Sequence, residues 1–321
     1  MIPIPEISPP VPEPAERHAG LALALGIGAL VLLYAWLFIS GDRFFVRKTA
    51  VMPVFVLYGL LQRRRVAFLA DWLPLLTGTV LFDAVRGAIF KAEYLVGYPW
   101  FASYVIVLER LVVRTPAAPL VLQQWRTHTL DLLAVMIHGS HFAFFLLFGL
   151  VLWHSRRAYF GQFRYALLLV MGIGLIGYAV VPTVPPWMAS DPLHLLPPIT
   201  HIAKFVYTSF SEELYGTFDS NPVAAMPSLH AAFPMTCALI GWRAYGRRTG
   251  IALTLYAGLV MLAVVYLGEH YVVDAMAGIA VAFAAVYISG RRVSEAWSMK
   301  ESLTISGAAL ALTFVLLWAY S

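Results

Sequence analysis

The sequence contains one cysteine, Cys237, so an intrachain disulfide and a metal site built from several cysteines are both excluded. Charge is scarce as well. Asp, Glu, Lys and Arg make up 12% of 321 residues, against about 25% in a typical soluble domain. Hydrophobic residues reach 60% and mean hydropathy is +0.77, which describes an all-α, polytopic membrane protein and gives no reason to expect a nucleic-acid partner. No basic stretch precedes the first apolar run, so no cleavable signal peptide is expected. An internal repeat of the kind many transporters carry is also missing.

What is present is a series of apolar runs long enough to span. Residues 1–18 form a Pro-rich tail, with six prolines and three glutamates in the first sixteen positions; such a segment buries little and is expected to be disordered. The region 19–65 is read as one span (19–40) and a short apolar stretch (49–62) suited to an interfacial or re-entrant segment. A core of six helices follows over residues 66–290, with spans at 66–90, 130–153, 164–182, 223–242, 249–267 and 270–289. A last span covers 302–320, which makes about eight in all. Residues 94–113 are read as a helix lying in the interface. With 41–65 inside, fifteen Lys and Arg lie in cytoplasmic loops and five in the opposite loops, so the positive-inside rule selects this orientation.

Two segments concentrate the ionisable residues at helix starts. One is Met226-Pro227-Ser228-Leu229-His230 and the other Gly268-Glu269-His270-Tyr271-Val272-Val273-Asp274. Ionisable groups inside a membrane are costly and usually mark a functional site. A single histidine on an apolar face is more often a satisfied core residue. Two of them, each opening an apolar span and both on the outer side, point to a shared site. His270 and Asp274 are four residues apart, so on a helix they share a face, and a carboxylate on one ring nitrogen leaves the other free as a nucleophile or base. Pro227 suits a first helical turn and Ser228 a capping position. Helix N-termini attract phosphate.

These two segments resemble the second and third motifs of the type-2 phosphatidic acid phosphatase superfamily. Pro-Ser-Leu-His, His-Tyr-x-x-Asp and Pro185-Pro186-Trp187 resemble the branch of fungal inositol phosphorylceramide synthase and its bacterial relatives. The resemblance spans about residues 77–289. It implies that His270 attacks phosphorus, Asp274 orients it and His230 protonates the leaving group, with no metal or other cofactor. Two features of the phosphatases are absent. Ala263 and Val264 stand where the third motif carries Ser-Arg, and the first motif Lys-x6-Arg-Pro is missing as written.

Phosphate contacts must therefore come from elsewhere. Leu81–Gly87 resembles the equivalent first-motif region of the inositol phosphotransferase branch; its Asp83 and Arg86 are three apart, and Arg86 is the expected phosphate ligand, with a structural ion pair as the other reading. Asp131, His138 and His141 fall on one span and are read as a polar wall of the headgroup pocket rather than a zinc site. Trp187 and the aromatics of 205–218 form either an interfacial belt or a lid. The expected substrates are a membrane phospholipid and an acceptor, lipid alcohol or water. The sequence supports a headgroup phosphotransferase, with a lipid phosphate phosphatase and a proton-coupled transporter as alternatives, and leaves the oligomeric state open.

Overall fold

In lipid a backbone must satisfy its own hydrogen bonds, and this sequence does so with helices. The computed structural model describes residues 51–206, 220–290 and 297–320. The Pro-rich tail, the span expected at 19–40, the basic residues Arg43, Arg47, Lys48, Arg291 and Arg292, and most of the aromatic stretch 205–218 lie outside the described residues. The principal helices are α1 (Val51–Leu60), α2 (Arg65–Val96), α3 (Ser103–Val113), α4 (Pro119–Leu122), α5 (His128–Ser155), α6 (Arg157–Val180), α7 (Pro186–Ser190), α8 (Ile202–Val206), α9 (Leu229–Tyr245), α10 (Arg247–Tyr266), α11 (Val272–Ser289) and α12 (Met299–Tyr320). No named strand occurs among them.

The protein is a multi-pass helical membrane bundle. Among the described residues five helices are long and apolar enough to cross a membrane, and α5 makes a sixth if its two halves, bent by 45° between His141 and Ala143, count as one span. Helix α9 has 17 residues, at the short end of the spanning range of about 17–25.

Two compact units divide the chain, Met1–Leu81 with Ser294–Leu312 and Phe82–Val293 with Thr313–Ser321. In the first, α1 packs on the start of α2 through aromatic rings. Phe55 meets Trp72 at 4.7 Å and Tyr58 meets Phe68 edge-on at 5.4 Å. The ten described residues of α1 reach about 15 Å, about half of a hydrocarbon core of about 30 Å.

The second unit is built around α9, which packs against α5, α6, α10 and α11. Small residues let its N-terminal loop lie close to the neighbouring backbones. A β-carbon at Gly177 would meet Pro227 at 2.5 Å, one at Gly174 would meet Leu229 at 2.7 Å, and one at Gly278 would collide with the carbonyl oxygen of Ser228. This is the close approach that small residues provide between membrane helices.

Three boundaries differ from expectation. Helix α2 continues to Val96 because nothing interrupts it before Gly97, whose φ of +65° ends the helix. The interfacial segment is consequently shorter, starting at Ser103. Helix α9 starts at Leu229 rather than 223, because Thr183 takes the preceding backbone into a small ladder: its N–H donates to Val223 (2.7 Å), and its carbonyl accepts from Ala225 (3.2 Å). Phe101 donates to Pro182 on the other side at 2.8 Å. The ladder ties the Pro-Pro-Trp loop to the second motif.

Candidate active site

The turn between α10 and α11 delivers the third motif. Gly268 adopts φ +84° there, a left-handed conformation that residues with a β-carbon adopt only at a cost. The amides of Glu269 and His270 then donate back to the Val264 carbonyl at 3.1 and 3.3 Å. His270 therefore precedes its helix instead of lying on it, and Tyr271 is the N-cap. The expected pair still forms. His270 Nδ1 lies 3.5 Å from Asp274 Oδ2, at ion-pair range but longer than a normal hydrogen bond. The same oxygen accepts from the Tyr271 amide at 2.9 Å, which fixes the carboxylate. Asp274 is fully buried and His270 is 4% exposed.

The second motif meets the third directly. The Ser228 amide donates to the Asp274 carbonyl at 3.0 Å, and His230 Nδ1 lies 2.9 Å from His270 Nε2. Tyr178 braces the motif by donating to the Pro227 carbonyl at 3.1 Å, and Tyr104 bonds both Thr183 and the Met226 sulfur. The capping expected of Ser228 does not occur. Pro227 lies before the N-cap rather than in the first turn, and the Ser228 hydroxyl makes no capping bond. It is buried beside α11, where the glycine contact at 278 holds the loop.

His138 and His141 join the same cluster. Their ring centroids lie 4.8 and 4.5 Å from that of His230 and 5.5 Å from each other. Asp131 does not join them: it pairs with Arg126 at 2.9 Å and accepts from the Tyr266 hydroxyl at 2.6 Å. Arg86 and Asp83 face each other at 3.4 Å, and both bond the Ser220 hydroxyl. The Asn221 amide donates to the Arg86 carbonyl at 3.2 Å. Trp187, half-buried in α7, stacks flat on His201 at 4.4 Å, and its amide donates to the Gly268 carbonyl. His201 in turn lies 2.8 Å from Glu269, so the Pro-Pro-Trp loop is locked to the turn that presents His270.

One residue of this assembly was not expected. Glu109, near the end of the segment 94–113 read as interfacial, is fully buried. Its Oε1 accepts from the amides of Val272 (3.1 Å) and Ala118 (3.2 Å), and its Oε2 from Val273 (3.1 Å). A carboxylate thus occupies the N-terminus of α11. Burial pushes its pKa upward, and the three amide donors partly offset that rise. The expectation that this helix end holds phosphate is corrected accordingly, because the two amides that would bind the anion are already satisfied. No sequence signal marks Glu109, which is 163 residues from Val272.

Fold and cluster together define a multi-pass membrane protein whose polar groups converge at one end of a helical bundle. A family model described as the PAP2 superfamily matches residues 104–288, more than half of the chain, and the chain belongs to that superfamily. It is also 28% identical, over 194 residues, to a protein named phosphoinositol dihydroceramide synthase from Bacteroides thetaiotaomicron. That match covers 55% of this chain and 60% of the relative. No solved structure matches the chain. The family and this relative support a membrane enzyme acting on lipid phosphoesters.

Proposed function

We propose that the chain transfers a phosphorylated headgroup, inositol phosphate in the reading the relative's name favours, from a phospholipid to a lipid hydroxyl. The observation that carries this reading is the 2.9 Å contact between His230 Nδ1 and His270 Nε2, with Asp274 on the far side of the His270 ring. In the first step the His270 Nε2 lone pair forms a bond to phosphorus, and the bond from phosphorus to the diacylglycerol oxygen breaks. Protonated His230 gives its proton to that oxygen. In the second step the acceptor hydroxyl gives its proton to His230 and attacks phosphorus, and the N–P bond breaks. An imidazole can play acid in one step and base in the next. Arg86 would hold a non-bridging oxygen. No step requires a metal.

Nucleophile and phosphorus meet at about 3–3.5 Å in a reactive complex, and the leaving oxygen lies beyond phosphorus. The two imidazoles, bonded to each other at rest, must separate when substrate enters. The loop charges favour the extracytoplasmic side for the site. Hydrolysis of a lipid phosphate by the same histidines is the second reading, favoured by membership of a superfamily named for phosphatases. Proton-coupled transport is the weakest, since His230 and His270 sit at the starts of their helices and the sequence shows no internal repeat. The test is to incubate the purified protein in detergent with phosphatidylinositol and a ceramide-type alcohol, and separately with phosphatidic acid. Appearance of the headgroup-bearing sphingolipid supports transfer. Inorganic phosphate release from phosphatidic acid without any transfer product overturns it.

A further inference from the structure

We propose that His138, His141 and His230 form a binding site for one zinc-class divalent ion, and that the bound ion arrests turnover. The inhibitory half rests on the role of His230 given above; the binding half does not.

Two of the ligands lie one turn apart on α5 and the third in the first turn of α9, so two helices converge on the ion. One nitrogen from each ring lies within 4.8 Å of the others. Zinc–nitrogen bonds of 2.0–2.1 Å in a tetrahedron put ligand nitrogens about 3.3 Å apart. Closing the gap takes about 1.5 Å of ring movement, within the reach of side-chain rotation. His141 already directs Nδ1 at the carbonyl oxygen of His138. That bond is of the kind that fixes the tautomer of a metal-ligating histidine and turns its other nitrogen to the metal.

The chemistry of the trio selects the ion. His138 and His141 are 2% and 3% exposed, and three neutral imidazoles favour zinc or copper over magnesium and calcium, which prefer oxygen. Asp131 is held away by Arg126 and Tyr266, so no carboxylate from α5 joins the set. Three protein ligands with one open position resemble a catalytic zinc site. Here, however, the third ligand is the imidazole that must take up and release a proton. A lone pair committed to an ion cannot do so, and the ion and the proton compete for His230.

The experiment uses the full chain, purified in detergent without a polyhistidine tag, stripped with EDTA and titrated with zinc chloride. Bound metal is read by mass spectrometry after desalting and by competition with a chromophoric chelator. About one zinc per chain is expected, with at least a tenfold loss of affinity in both His138→Ala and His141→Ala. His194→Ala, in the outer loop, keeps the wild-type affinity. If either alanine variant fails to fold by size exclusion, the corresponding asparagine variant replaces it. Turnover should fall with the same zinc midpoint and return on adding EDTA. Substoichiometric zinc, or binding that both variants leave unchanged, overturns the site. One zinc per chain with undiminished turnover overturns the inhibition. A protein that turns over no phospholipid refutes the transfer reaction, and the metal titration still judges the site.

Discussion

Asp274→Asn tests the transfer reaction at its geometric centre. Asn keeps the shape, and its amide oxygen can still accept from the Tyr271 amide, now bonded at 2.9 Å. The bond from the Ser228 amide to the backbone carbonyl is untouched. The oxygen that accepts from Tyr271 is also the one that faces His270 Nδ1, so the Asn oxygen keeps both partners and what is lost is the negative charge. Nε2 keeps the lone pair that faces His230, but the positive charge that develops on the ring as Nε2 bonds phosphorus loses its counter-ion. In a serine-protease triad the same exchange costs about 10⁴-fold in kcat because it reverses the tautomer. Here the tautomer is kept and the carboxylate–imidazole distance is 3.5 Å, so the expected loss is smaller, about 10²-fold, or about 3 kcal/mol of barrier. The assay is headgroup transfer under saturating donor lipid, with a thermal melt in the same detergent. Turnover should collapse while the melting temperature moves little. A loss smaller than about tenfold, in a variant that melts like wild type, would mean that the Asp274 charge does not support His270 as the nucleophile.

Other substitutions probe the support of the site. Glu109→Ala leaves the amides of Val272, Val273 and Ala118 without their acceptor. At about 1–3 kcal/mol for each buried unsatisfied group, it should lower the melting temperature clearly and reduce turnover with it. Arg86→Lys keeps the charge but loses the planar fork that bonds Ser220 and Asp83. About a 10- to 100-fold fall in kcat/KM is expected, equal to one charge-assisted hydrogen bond of 1.5–3 kcal/mol; unchanged kinetics would assign the pair a structural role. Gly278→Ala drives a methyl into the Ser228 carbonyl and should cost about 1–3 kcal/mol in a thermal melt, whereas Gly172→Ala, with nothing within 4 Å, should be neutral or mildly stabilising.

Much of the site was legible because its key spacings are local. Four residues separate His270 from Asp274, and that separation survives even though His270 sits before its helix. The apolar hairpin of α9 and α10 implied that both motifs end on one side, and His230 does reach His270. Helix ends were harder to read. Pro227 and Ser228 have the residue types of a helix start, but the Ser228 amide goes to the Asp274 carbonyl, 46 positions on. A hydrophobicity pattern carries no trace of such a bond. Glu109 is the extreme case. On its own segment it reads as an interfacial charge, and only the fold brings α11 down onto it. His201 and Glu269 are 68 positions apart and carry no local signal of a contact; they pair because Trp187 and Gly268 bring their loops together.

The charges around the histidines bear on which phosphoester fits. Where phosphatases of the family carry Ser-Arg, Ala263 and Val264 are buried and apolar, and Ala263 packs against Ala134 and Tyr266. Arg86, the expected phosphate ligand, already faces Asp83 at 3.4 Å. Behind the nucleophile stand two buried carboxyl groups, Asp274 and Glu109, which accept from the adjacent amides of Tyr271 and Val272. A phosphomonoester carries close to two negative charges at neutral pH, since its second pKa is about 6, whereas a phosphodiester carries one. In a low-dielectric site the second charge would need a second cation to offset its desolvation. A guanidinium already paired with Asp83, beside two buried carboxyls, suits a monoanionic diester better than a dianion, and a phospholipid with its headgroup attached is such a diester, while phosphatidic acid is not. Under the proposed reading, this balance argues for headgroup transfer over phosphatidic acid hydrolysis without reference to the names of relatives.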